Sequence, residues 1–166
     1  MCKKGWTNEH SLRYPNTSNH NKKPAVKKYT DLTDPNSFRS RIRTKRLKHL
    51  IAFISNIIDK ENLRTVRICD LGGTYRYWFL FPFHKFNTVT FEITMVNLES
   101  IVEDEKTKYA AHLDHPNLIF KTEVGNACHL PQYETDRFDL TTSNSVVEHV
   151  GGWSNIKKFA SESQRI

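Results

Sequence analysis

At 166 residues, with 37% hydrophobic content and a formal net charge of +7, the chain has room for one domain with a real core. Charge is unevenly spread: residues 1 to 60 carry 14 Lys or Arg against 4 Asp or Glu, a net of +10, and residues 61 to 166 carry 11 against 14, a net of −3. No apolar run reaches the length of a membrane span and Met1 is not followed by the apolar core of a signal peptide, so the expectation is a cytoplasmic protein without a membrane span. Cys2, Cys69 and Cys128 are widely spaced, with no histidines at zinc-ligand intervals, and are expected as reduced thiols rather than a disulfide frame or zinc site.

Residues 1 to 33 are rich in Asn, Lys, His, Ser and Pro, too poor in apolar side chains to offset the entropy of ordering, and are expected as a flexible basic arm. Lys3-Lys4, Lys22-Lys23 and Lys27-Lys28 either touch an acidic partner or remain solvated. A domain is expected over residues 34 to 166. Asp34-Pro35 has the chemistry of a helix start, a capping carboxylate followed by proline. From Phe38 to about Lys60, Leu47, Leu50, Ile51, Ile54, Ile57 and Ile58 recur at the helical period, and Phe38 and Ile42 extend the stripe backwards. The first half of this helix is dense in Arg39, Arg41, Arg43, Lys45, Arg46 and Lys48. Such a face can bind RNA or an anionic surface. Docking of the apolar stripe on a sheet, with the cations in water, is the preferred reading, because the stripe is strongest away from the charge cluster.

A strand is expected from about Thr65 to Leu71, then a Gly72-Gly73 turn and a short helix within Thr74 to Leu80, ended by Pro82. Val89, Phe91, Ile93 and Met95 alternate with Thr90, Glu92 and Thr94, which marks a second strand closed by Asn97-Leu98-Glu99. Ser100 to Ala111 is expected as a helix and Leu118-Ile119-Phe120 as a third strand. Gly125-Asn126-Ala127-Cys128 is turn-like, and Phe138 to Ser143 is a fourth strand. One helical turn is expected within Ser145 to Val150, and Ser154 is expected to cap a last helix with Ile156, Phe159 and Ala160 on one face. Trp78 and Trp153 are expected as packing aromatics, with a place at the border of the pocket also open to Trp153. Strands alternating with helices imply parallel pairing and a three-layer α/β sheet.

The glycine turn after the first strand marks the place where a ligand meets an open parallel sheet. A dinucleotide site wants Gly-x-Gly-x-x-Gly, but this chain has Arg76 where the third glycine would fall, and Asp70 would repel a diphosphate. Glu99, at the end of the second strand, stands where a carboxylate accepts both hydroxyls of a ribose. Together they favour an adenosine-containing ligand without phosphate, such as S-adenosylmethionine.

Asp70-Leu71-Gly72-Gly73-Thr74, Asn97-Leu98-Glu99, Gly125-Asn126-Ala127, and Phe138-Asp139-Leu140 leading to Ser143-Asn144-Ser145-Val146-Val147-Glu148-His149-Val150 occur in one order. In that order they resemble class I S-adenosylmethionine-dependent methyltransferases, and the likeness runs from about residue 35 to 166. The resemblance implies a Rossmann-like three-layer sandwich with a mostly parallel sheet. Since that family has seven strands and about four are seen here, it implies an incomplete sheet, either a truncated version or one that a dimer mate or another chain would complete. It further implies that Asp70, Gly72 and Gly73 line the methionine end of the cofactor, with Asp70 near its ammonium, and that Glu99 holds the ribose. Asn126 would accept from the adenine amino group, the Ala127 backbone would meet the ring, and Ser143 and Asn144 would lie beside the transferred methyl.

Each residue also has a plainer role open to it. Gly72 and Gly73 can serve a tight turn alone, Glu99 can cap the helix expected after it, and Asn126 and Ser143 can serve turn chemistry. His149 is either a general base or a structural hydrogen-bonding residue. The main expectation is a methyltransferase acting on an acceptor the sequence does not name. The alternatives are a non-catalytic nucleic-acid or anionic-surface module, or a degenerate fragment that needs a partner.

Overall fold

The computed structural model describes residues 37–99 and 113–166. The arm of residues 1 to 33, Asp34-Pro35, Cys2 and the helix expected over Ser100 to Ala111 lie outside them.

Helix α1 (Phe38–Glu61) starts on Ser37, whose Oγ accepts from the Ser40 backbone N–H at 3.2 Å. It stops at Asn62, which takes a left-handed conformation (φ 48°, ψ 44°) that asparagine tolerates, while the Leu63 N–H donates back to the Ile58 carbonyl at 3.1 Å. Strand β1 (Thr65–Leu71) follows directly, then α2 (Tyr75–Trp78), a 3₁₀ turn at Phe83–Lys85, β2 (Thr90–Asn97), β3 (Leu118–Val124) and β4 (Leu140–Ser143). A second 3₁₀ turn (Val147–His149) leads to α3 (Trp153–Arg165).

The sheet is parallel throughout, with order β3-β2-β1-β4. Its register runs from Thr65 opposite Thr90 to Leu71 opposite Val96 on one side of β1, and from Ile68 opposite Leu140 to Leu71 opposite Ser143 on the other. Helices cover both faces, so this is an α/β, Rossmann-like three-layer arrangement with a four-stranded sheet among the described residues. Two layers of apolar contact follow from the strand alternation. Val66, Ile68, Phe91, Ile93 and Met95 face α1 and α2, where Leu50, Ile51, Ile54 and Ile58 pack against them. Cys69, Leu71 and Val96 face the other way, toward Leu130, Tyr133 and Phe159. The apolar stripe of α1 thus docks on the sheet as its periodicity predicts.

Between α2 and β2 the chain is pinned by rings rather than by regular structure. Phe81 and Phe83 lie 4.7 Å apart between centroids, and Phe83 and Phe86 meet Phe91 edge-on at 5.3 and 5.4 Å. Each such pair adds about 0.5–1.5 kcal/mol beyond the area it buries. On the opposite face, residues 125–139 link β3 to β4 without a helix, and α3 holds them. Arg165 donates to the Tyr133 and Leu130 carbonyls at 2.8 and 2.9 Å, and Glu162 accepts from the Leu130 N–H at 2.8 Å. At the start of β4, Asp139 accepts from the backbone N–H and the guanidinium of Arg67, so one carboxylate fixes β1 against the incoming strand.

Four local expectations change. Strand β4 begins at Leu140 rather than Phe138. The cap of α3 is Gly152, with no side-chain cap bond, and Ser154 lies inside the helix. Strand β3 extends to Val124, since parallel pairing with β2 continues as far as Asn97 although Lys121, Thr122 and Val124 there are exposed. Trp78 is fully buried as a packing aromatic, but Trp153 is 70% exposed, with the Lys157 ammonium 5.7 Å from its ring centroid.

Candidate functional site

The strand order reverses direction between β1 and β4, and crevices outside the carboxyl ends of strands at such a point are where open α/β sheets take ligands. A cleft of about 650 Å³ lies there, within the 300–1,000 Å³ range common for small-molecule sites. Gly72, Glu99, Asn126 and Ala127, four of the eight residues singled out from the sequence, line it together.

Gly72 is required on packing grounds. Its φ is +73°, and a Cβ there would run into the Val146 side chain, which also lines the cleft. A Cβ on Gly73 would enter the Asp70 carboxylate. The strand ends are laced together around this turn. Gly72 donates to the Val96 carbonyl at 2.7 Å, Gly73 donates to the Asp70 carbonyl at 3.2 Å, and the Asn97 amide donates to the Gly73 carbonyl at 3.0 Å. Both glycine N–H groups are therefore committed within the protein. A diphosphate needs such groups free, so this turn offers it little.

Asp70 sits beneath the turn rather than in the cleft. It is 1% exposed, one oxygen accepts from the Trp78 indole N–H at 2.7 Å, and the other has no partner among the described residues. Burial raises its pKa to about 7, and the Trp78 bond only partly opposes this. Ser143 and Asn144 are likewise absent from the lining. Ser143 is spent on the sheet, its hydroxyl donating to the Leu71 carbonyl at 2.9 Å. Asn126 does both things open to it: it lines the cleft, and its Oδ1 accepts from the Cys128 N–H at 2.9 Å in an Asx turn. The Asn126 carbonyl also accepts from the His129 N–H at 2.7 Å, so this corner is rigid before any ligand arrives.

The rest of the lining includes residues the sequence did not single out as cleft-lining. Cys128 and His129 come from the β3–β4 link, Val150 from the segment after β4, and Asn155 and Lys158 from α3; His149, weighed as a base or a structural residue, joins them. Asn155 ties two of these segments, donating to the Val150 carbonyl at 2.9 Å and accepting from the Cys128 thiol at 3.4 Å. Of these, Cys128 carried a signal as part of a turn-like segment, and His149 and Val150 as part of the motif after the fourth strand. Cys69 is no nucleophile here: it is fully buried, and burial followed by the Asp70 and Glu123 charges pushes its pKa up to about 12. Among the described residues no three His, Cys, Asp or Glu side chains group as a metal site, and no helix is long and apolar enough to cross a membrane.

Comparison of the chain with protein-family models and with curated proteins found no match.

Proposed function

We propose that the cleft binds S-adenosylmethionine and that the chain is a methyltransferase domain transferring its methyl group to a nucleophilic acceptor. The observation that carries this reading is that Gly72 and Glu99 line one cavity while both N–H groups of the glycine turn are already used. The site thus combines a carboxylate for a ribose diol with close backbone approach and a turn unsuited to phosphate. Asn126 and Ala127 provide the adenine end of that cavity in this reading. Asn126 Oδ1 keeps one lone pair beyond its Asx turn, and its amide hydrogens remain to donate.

When bound, S-adenosylmethionine supplies an electrophilic methyl group on a sulfonium. The chain's part is to hold the ligand and an acceptor in line, which requires no obligatory acid or base. Val146, pressed against Gly72, fixes the floor on which the ligand rests. Asp70 acts from below in this reading: a cation brought over the Gly72-Gly73 turn favours its ionised form, so binding near neutral pH releases part of a proton.

Isothermal titration of the full chain with S-adenosylmethionine, beside Glu99→Gln, tests this. Losing a charged acceptor for a diol costs about 1.5–3 kcal/mol, so the variant should bind about 10–100-fold more weakly. Equal affinity in both proteins would remove Glu99 from the site.

A further inference from the structure

We infer that the outward face of α1 is a binding surface for single-stranded nucleic acid. The inward face of this helix is used up, since Leu47 and Ile54 are buried and Leu50, Ile51 and Ile58 pack on the sheet. The face opposite is not bland. Phe38, Ile42, Lys45, His49 and Phe53 follow one another at intervals of three or four residues, so they form a single stripe along the helix. Phe38, Ile42 and Phe53 are 59%, 38% and 52% exposed. Arg41 and Lys48 flank this stripe on one side and Arg46 on the other. Arg41, Lys45, Arg46 and Lys48 are all exposed, and among the described residues none has an acidic partner. No acidic residue stands in the first turn to oppose them.

Cations interleaved with outward-facing rings match a chain of phosphates carrying unstacked bases. A lipid surface fits less well, because a helix lying in a membrane inserts a continuous apolar face, and that face of α1 is already committed to the core. This surface does not depend on what the cleft binds.

Fluorescence anisotropy of a labelled oligouridylate with the full chain tests the surface over a series of salt concentrations. Four phosphate contacts predict a fall in log affinity of about 3 per decade of salt. Arg41→Gln with Lys45→Gln should bring the slope to about half of that, with an unchanged thermal melt confirming the fold. Phe53→Ala should weaken binding several-fold and leave the slope as it was. Three results overturn the proposal: no binding at low salt, binding indifferent to all three substitutions, or binding to phosphatidylserine vesicles with none to the oligonucleotide.

Discussion

The Asp70 carboxyl is the least comfortable group in the molecule, and replacing it by asparagine gives a quantitative test of the site's electrostatics. In the folded chain its pKa is raised from 3.8 to about 7, by burial first, with the Trp78 bond opposing. An acid whose folded pKa exceeds its unfolded value binds more protons when folded. Its stability contribution is therefore complete below pH about 4 and is lost as pH rises through about 7. The difference corresponds to about 4 kcal/mol between those limits. Asparagine has the same shape, keeps an oxygen for the Trp78 donor and does not titrate. Urea unfolding of both proteins across this range should show Asp70→Asn gaining about 2–4 kcal/mol on the parent between acid and mildly alkaline pH. Stability curves that run parallel across the whole range would refute the placement of a half-partnered carboxylate in the core.

Other substitutions follow from the same geometry. Gly72→Ala places a methyl group at φ +73° against Val146 and should cost about 2–4 kcal/mol by chemical denaturation, partly recovered when Val146→Ala is added. Tyr133→Phe removes the 2.6 Å bond from its hydroxyl to Glu123 and should cost about 1 kcal/mol in the same assay. Glu162 is held down at about 2, first by its Arg165 hydrogen bonds, so its contribution is present above its ordinary 4.5 and lost as pH falls toward 2. Glu162→Gln should flatten the acid limb of a stability-against-pH curve, and an unchanged limb would remove the Arg165 clamp from the account.

The parts of the fold legible in the sequence are those where local pattern and tertiary environment agree. β1 spans Thr65–Leu71 as its apolar run indicates, because a central parallel strand is paired on both sides and is buried on both faces over Ile68 to Leu71, while Arg67 is held by Asp139. β3 read shorter than it is because Lys121 looks unlike a strand residue until an edge position lets it face solvent, and Glu123 until the fold places it to accept from the Tyr133 hydroxyl. The cap of α3 was misplaced because glycine at N-cap leaves no side-chain signature, and Ser154 two residues on supplied a false one. Half of the candidate site was visible for the same reason as β1: Gly72, Glu99, Asn126 and Ala127 follow strand ends, and parallel strands bring their ends to one side. Asp70 was placed correctly along the chain but lies outside the cleft lining, since a residue two steps before the turn points into the sheet face that Trp78 covers. His129, Asn155 and Lys158 reach the cleft only because the irregular link between β3 and β4 and the start of α3 fold over it, which no local pattern encodes.

The central claim is that this cleft selects an adenosine ligand without phosphate, and calorimetric titration of the full chain with S-adenosylmethionine and, separately, with ATP tests it most directly. The account predicts saturable heat with S-adenosylmethionine and none with ATP. Saturable heat with ATP, or none with S-adenosylmethionine, would contradict it.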